Sequence, residues 1–386
     1  MIYVNNAATT WPKPEGVYQQ INSCMRDFGY NPGRSGGVGI SRIERDIFNV
    51  RTKVAKLINA ANSSRVIFTS GATEALNLAI KGVLRKGDHV ITTELEHNSV
   101  LRPLRKLEKS KLIELSIIQI DQKGRLNLKQ LEEEIQENTT LIVTTHASNV
   151  IGSIVDIKRI GGLAHNRGIT YLVDAAQTAG VVEIDVEKMK IDLLVLAGHK
   201  SLYGPPGIGV LYINEGIELD TLIEGGTGSD SLSTYQPTIL PDRYEAGTLN
   251  TMGIIGLGAG IDFVLETGIA QIRAEELRLT KRLIAGLKKI NDIIIYGDLE
   301  MEARVAVVGF NLKEIAAADL GYILESHFNI SVRAGLHCAP LLHQALHTKK
   351  IGMVRVSFSY FNTEEEVDII LEALSKIANN KEEFGL

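Results

Sequence analysis

From residue 64 to residue 213 the chain repeats one pattern: a short run rich in Val, Ile and Leu, then a longer stretch with apolar residues at three-and-four spacing. That alternation admits few folds. Strands of this composition bury both faces and helices of this period bury one, so the helices must lie on a sheet whose strands run mostly parallel. The pattern predicts strands at 65–69, 89–93, 112–120, 141–145, 169–173, 193–197 and 209–213, with helices at 74–84, 99–107, 128–135 and 157–166. Segment 224–248 breaks the rhythm with Gly225, Gly226, Gly228, Pro237 and Pro241, and reads as a long irregular loop of the kind that is usually functional or disordered. Beyond it, a helical stretch at 253–290 leads to strands near Ile293 and Val305, a helix at 316–327, strands near Ser331 and Val354, and a terminal helix from Thr363. The expected architecture is α/β: a large domain over 15–250 on a mostly parallel seven-stranded sheet, and a smaller α+β domain from 1–14 and 251–386.

Composition narrows the function. The 41 basic and 46 acidic residues leave a net charge of −5, so the chain lacks the basic footprint that phosphate-backbone binding requires, and no nucleic-acid partner is expected. Two cysteines, Cys24 and Cys338, cannot staple 386 residues, which fits a reducing compartment. The opening MIYVNNAATT has no signal-peptide pattern and no apolar run approaches roughly 18 residues, so a soluble cytoplasmic protein with no membrane partner is expected.

In sheets of this kind ligands bind beyond the carboxyl ends of the strands. Four such ends carry unusual residues. Ser70-Gly71-Ala72-Thr73-Glu74 is a small-residue turn opening a helix, either an ordinary helix start or a cradle whose free amides suit an anion such as phosphate. Glu96-His97-Asn98 brings an imidazole to the same edge. Asp174 ends the apolar run Tyr171-Leu172-Val173, where burial of a carboxylate calls for a cation, either an arginine or a protonated ligand nitrogen. Lys200, in Gly198-His199-Lys200, is either a solvated amine or one desolvated enough to form a Schiff base. Together these are the parts that a pyridoxal phosphate site requires.

Nearly the whole chain resembles the cysteine desulfurases of the class V aminotransferases, fold type I of the pyridoxal phosphate enzymes. The resemblance is carried by Asn6-Ala7-Ala8-Thr9-Thr10, Ser70-Gly71-Ala72-Thr73-Glu74, Glu96-His97-Asn98, Ser148-Asn149, Asp174-Ala175-Ala176-Gln177, Gly198-His199-Lys200, Glu245-Ala246-Gly247-Thr248 and Arg333-Ala334-Gly335-Leu336-His337-Cys338-Ala339. It implies that Lys200 joins the cofactor through its amine, Asp174 pairs the ring nitrogen, Gln177 touches the ring hydroxyl and His97 stacks on the ring and shuttles protons. It implies that Ala72, Thr73 and His199 bind the phosphate, and that Thr248 reaches the phosphate of a neighbouring subunit, hence a homodimer. Asn149, Arg355 and Arg333 would hold the carboxylate of L-cysteine or L-selenocysteine, for which a guanidinium fork is the natural partner.

Cys24 lies within a helical pattern beside Ile21 and Met25 and reads as packing. Cys338 lies among glycine, histidine and proline, where exposure and a nearby imidazole favour a nucleophilic thiolate. Arg355 follows it by 17 positions, a spacing that resembles the short-loop, Suf-type group and implies a docked sulfur-acceptor protein. A rival reading takes His337, Cys338, His343 and His347 as metal ligands, with His343 and His347 at i and i+4 on one helix face; no metal is expected, because no second cysteine completes a zinc spacing. Gly256-Leu257-Gly258-Ala259-Gly260-Ile261 fails the dinucleotide fingerprint at its last position.

Several positions depart from the family. Asn5 stands where aspartate is usual, Ala197 replaces a serine that donates to phosphate, Ser201 is an additional hydroxyl that could replace it, Gly33-Arg34-Ser35-Gly36-Gly37 lies where a histidine is usual, and Leu336 replaces the first of two histidines before the cysteine. The sequence therefore leaves open a preference for selenocysteine, and whether the sulfur serves iron–sulfur cluster assembly, thiolated cofactors or selenium use. Two other readings remain at this level: a class V aminotransferase or carbon–sulfur lyase that does not use Cys338, and a binding protein without catalysis.

Overall fold

The structure is a computed structural model that describes residues 1–27, 32 and 38–384, with the backbone alone for 38–41. The Gly33–Gly37 departure lies outside the described residues. The chain opens with β1 (Ile2–Tyr3), α1 (Glu15–Asp27) and α2 (Val38–Leu57). Then come β2 (Val66–Thr69), α3 (Ala72–Val83), β3 (Asp88–Thr93), α4 (Asn98–Lys109), β4 (Ile113–Ile118), α5 (Leu128–Glu133), β5 (Thr139–Thr145), α6 (Ile157–Asn166), β6 (Thr170–Asp174), β7 (Leu193–Ala197) and β8 (Gly209–Ile213). After the irregular loop follow α7 (Thr251–Thr267), α8 (Ile269–Leu287), β9 (Ile293–Ile295), β10 (Val307–Leu312), α9 (Ala317–Phe328), β11 (Ile330–Ser331), β12 (Arg333–Gly335), α10 (Pro340–Ala345), β13 (Met353–Ser357) and α11 (Glu364–Asn379).

All seven expected strands join one sheet in the order β2-β8-β7-β6-β5-β3-β4. Only β8 runs against its neighbours, so β2, β3, β5, β6 and β7 end at the same edge. Alternation of side chains along each strand divides the packing between the faces. Ile67, Val90, Leu141, Leu172 and Val195 face α3 and α4, whereas Phe68, Ile91, Ile142, Val173 and Leu196 share a core with Val50 and Val54 of α2 and with α6 and α7. Twenty-residue α2 was not among the sequence expectations.

The smaller unit is an antiparallel sheet, β12-β13-β10-β9, covered by α8, α9 and α11 around Leu283, Phe310, Leu324, Val356 and Ile370. β1 pairs with β11, and the Asn6 side chain donates to the Ser357 carbonyl at 2.9 Å, so the N-terminal segment is bound to this unit. The helical stretch expected at 253–290 is two helices bent by 83° at Gly268, whose φ of +89° suits a residue without Cβ. Ile254, Leu257, Ile261 and Val264 of α7 belong to the large core, while Leu279 and Leu283 of α8 belong to the small one. We therefore propose the change of core near Gly268 rather than at residue 250. The glycine run 256–260 falls inside α7: at Gly260 a Cβ would collide with the Leu202 carbonyl, so the small residue lets α7 back the turn that carries Lys200. Among the described residues no single helix is long and apolar enough to cross a membrane.

A buried ion pair ties the irregular loop to the large core. Arg51 of α2 meets Glu245 through two bonds of 2.7 and 2.8 Å, with both side chains about 5% exposed or less, and Glu245 also accepts from the Phe68 amide at 2.6 Å. Removing one partner leaves a desolvated charge. Glu245→Ala is expected to lower the free energy of unfolding by about 3–5 kcal/mol, read from urea denaturation curves; a change under about 1 kcal/mol would show that the clamp is dispensable.

Candidate active site

A cleft of about 390 Å³ opens at the common strand edge, lined by residues that include Ala72, Thr73, His97, Asn149, Asp174, Gln177, His199, Lys200 and Arg333. The topology explains the convergence: apart from Arg333, which lies on β12, these residues follow a strand of the large sheet or open the next helix. Strand register sets Thr145 opposite Asp174 and Asp174 opposite Val195, which places the Lys200 turn beside the carboxylate.

Lys200 is held in the field of these neighbours. Desolvation lowers its amine to about 8, with Asp174 opposing the shift and Arg355 and Arg333 adding to it. Burial pushes the Asp174 carboxyl above its ordinary value against the attraction of Lys200; one oxygen accepts from the Ala176 amide at 3.0 Å. His97 caps α4: its Nδ1 accepts from the Ser99 amide at 3.1 Å, so a neutral ring carries its proton on Nε2. Burial, then the cations Lys200 and Arg333, lower its pKa to about 4. His199 is lowered to about 4 for the same first reason, and its buried Nδ1 has no partner among the described residues.

The phosphate end is built from backbone and hydroxyls. Helix α3 begins at Gly71 with no side-chain cap, while Ser70, Thr73 and Ser99 line the cleft there and Thr73 Oγ1 lies 2.8 Å from Ser99 Oγ. A helix N-terminus with open amides suits an anion. Strand β8 comes close because Gly209 has no side chain; a Cβ there would collide with Gly71. Ala197 lines this end, but Ser201 does not: it faces a separate small cavity with Gln177 and Glu276, so it does not restore the missing donor. The uncapped α3 start, the unpartnered His199 Nδ1, and Asp174 with a single hydrogen bond together fit a phosphorylated pyridine ring. Gln177 donates to the Ala7 carbonyl at 3.0 Å while lining the cleft.

Two guanidiniums stand at the other end. Arg333 and Arg355 are directly opposed on β12 and β13, and neither forms an ion pair among the described residues. Opposed like charges are destabilising, so the pair calls for an anionic ligand. Arg333 lines the cleft, whereas Arg355 is fully buried behind Asn149 and donates to the Asn149 carbonyl and Asn5 Oδ1, both at 2.8 Å. Arg333 is thus the guanidinium that reaches the cleft. Cys338 sits at the rim with Sγ 3.7 Å from Arg333 Nη2, and its carbonyl accepts from the Asn98 amide at 2.7 Å, next to His97.

Other expectations fall elsewhere. Thr248 is exposed and does not line the cleft. Cys24 is buried in α1 as packing. The helix face shared by His343 and His347 does not form: α10 ends at Ala345, so His347 lies beyond the helix and is exposed, and no group of three potential ligands occurs among the described residues. Sequence reasoning did not single out Ser99 or Glu96. Glu96 is fully buried, accepts from Thr93 Oγ1 at 2.7 Å and the Thr145 amide at 2.9 Å, and is pushed by burial to about 8. It joins the ends of β3 and β5 behind His97; its only signal was its place in Glu96-His97-Asn98.

Comparison with known proteins gives the family and the fold. The class-V aminotransferase family matches residues 2–370. A probable cysteine desulfurase of Methanothermobacter thermautotrophicus is 36% identical, over 98% of this chain and 94% of the relative. Among solved structures, the apo cysteine desulfurase of Thermococcus onnurineus NA1 superimposes with a TM-score of 0.92 at 33% identity, over 98% of this chain and 95% of the other. The cysteine desulfurase CsdA of Escherichia coli, in S-sulfonic acid form, gives 0.89 at 27% identity, over 98% and 94%.

The desolvated amine can be tested directly. Reductive methylation of ligand-free protein, followed by peptide mass spectrometry, should modify Lys200 with half-maximal rate near pH 8; Lys13, which burial also lowers to about 8, should follow the same profile. A Lys200 profile centred above pH 10, as for a solvated lysine, would contradict the desolvated site.

Proposed function

The chain belongs to the class-V aminotransferase family, and from that premise we propose that it is a pyridoxal phosphate-dependent cysteine desulfurase that converts L-cysteine to L-alanine and leaves the sulfur on Cys338. The observation that carries the reading is a free thiol in contact with Arg333, which lines the cleft where strand ends bring Asp174, His97 and Lys200 together.

The bound cofactor supplies an electron sink for the substrate's α-carbon. Asp174 favours a protonated ring nitrogen, because a buried carboxylate with one hydrogen bond gains most from a cation. The start of α3, with Thr73, Ser99 and His199, holds the phosphate. Lys200, lowered to about 8, holds the cofactor through its amine and, when released, accepts the α-proton near neutral pH. His97, neutral above about pH 5 because its pKa is lowered to about 4, presents Nε2 for proton transfer. Arg333 and Asn149 meet the substrate carboxylate, with Arg355 reinforcing the positive field from behind.

The Cys338 thiolate attacks the substrate sulfur. An S–S bond forms as the C–S bond breaks, the electron pair of that bond passes to the substrate's β-carbon, and protonation of the β-carbon together with return of the α-proton from Lys200 yields alanine. Arg333 Nη2 stands 3.7 Å from the attacking sulfur. The persulfide then passes to an acceptor protein docked over the rim. A homodimer, with the 224–248 loop and Thr248 completing the partner's phosphate site, and use of L-selenocysteine belong to the same proposal.

Cys338→Ala should lower alanine release from L-cysteine at least about a hundredfold while leaving the cofactor's absorption spectrum unchanged and retaining cleavage of L-selenocysteine, whose C–Se bond is weaker. His97→Gln should cost about 10²–10⁴ in kcat with bound cofactor retained. Alanine release by Cys338→Ala at the wild-type rate would replace this reading with one in which the cysteine is packing.

A further inference from the structure

Cys338 owes its place to an unusual turn. His337 and Cys338 are consecutive non-glycine residues with φ of +49° and +59°, in the left-handed region that side chains disfavour. Such a pair persists only where its surroundings over-determine it. The backbone supplies two anchors: the Asn149 side chain donates to the His337 carbonyl at 2.7 Å, and the Asn98 amide donates to the Cys338 carbonyl at 2.7 Å. Both tie the turn to the large core.

The third anchor lies underneath, in side chains that the reaction itself does not use. The His337 ring, 2% exposed, stacks on the fully buried His343 ring with centroids 5.8 Å apart and planes at 13°. His337 Nε2 faces the Arg333 carbonyl at 3.2 Å, and as its donor links the turn to the arginine beside Cys338. His343 Nδ1 pairs with Thr348 Oγ1 at 2.8 Å, which fixes the orientation of the lower ring. Two of the four residues in the metal reading, His337 and His343, thus form a flat platform.

We propose that His343 is a positioning residue: it holds His337 flat, keeps the paired left-handed residues in place, and so aims the Cys338 thiol at the cleft. The role deepens the desulfurase reading, since it rests on Cys338 being the sulfur nucleophile. Without the lower ring, His337 can rotate and the strained turn can relax, which carries the thiol away while Asn149, Arg333 and Lys200 remain to bind substrate.

The test uses cofactor-loaded protein. His343→Ala should lower kcat for alanine release from L-cysteine at least about tenfold with KM changed less than about twofold, because the loss falls on the transition state and not on substrate binding. Hydrogen exchange at the Asn98 and Ala339 amides, which bond to the Cys338 and Leu336 carbonyls, should accelerate about tenfold. His343→Phe, which keeps a flat ring, should restore both to within about threefold. Thr348→Val, which retains side-chain volume but loses the Nδ1 bond, should show the same pattern at about threefold amplitude, and keeps the idea testable if His343→Ala does not fold. Wild-type exchange and kcat in both His343→Ala and Thr348→Val would overturn the proposal, as would failure of phenylalanine to rescue a folded alanine variant. Accelerated exchange in a protein whose wild type releases no alanine would keep the positioning role and remove the desulfurase reading.

Discussion

The desolvation of Lys200 governs the site. Its amine lies in the field of one buried carboxylate, Asp174, and two guanidiniums, Arg333 and Arg355, and burial acts on Lys200, Asp174 and Arg355. A charge in such a place needs partners or loses its proton. The large sheet provides the carboxylate at the end of β6 and the amine after β7, while the small sheet provides the arginines on β12 and β13. Neither unit alone makes the electrostatics.

The same division appears around the sulfur. Cys338 comes from the small unit, yet its turn is held by Asn98 and Asn149 of the large one. The N-terminal segment bridges in the opposite direction: Asn5 meets Arg355, Asn6 meets Ser357, and the Thr10 amide donates to the His199 carbonyl. Lys13 donates to that same carbonyl at 2.7 Å. Residues at both chain ends therefore surround the lysine turn, and Arg355 is enclosed so thoroughly that its field reaches the cleft while its atoms do not.

Much of this was legible in the residues. The seven strands of the large sheet follow from their apolar runs, because burial on both faces leaves little choice of composition. Asp174 and Lys200 stood out because charged groups ending apolar strands demand an explanation. The bend at Gly268 was hidden, since α7 and α8 are each continuous in helical period and one glycine is compatible with either a straight or a broken helix. His343 and His347 matched a helix face only while the helix was assumed to reach 347; it stops at Ala345, and the chain turns through His347 at φ +57°. Ser201 looked like a substitute donor by adjacency, but it lines a neighbouring small cavity and not the cleft.

By itself the sequence determined which elements form and which chemical groups stand at their ends, because periodicity and burial act over a few residues at a time. It also carried the family resemblance through short ordered motifs. Tertiary structure decided which guanidinium reaches the cleft, that Glu96 lies buried behind His97, and that two histidines stack beneath Cys338. Those outcomes depend on strand register and on the docking of one core against the other, where residues more than a hundred positions apart meet, and no local pattern encodes a distance of that kind.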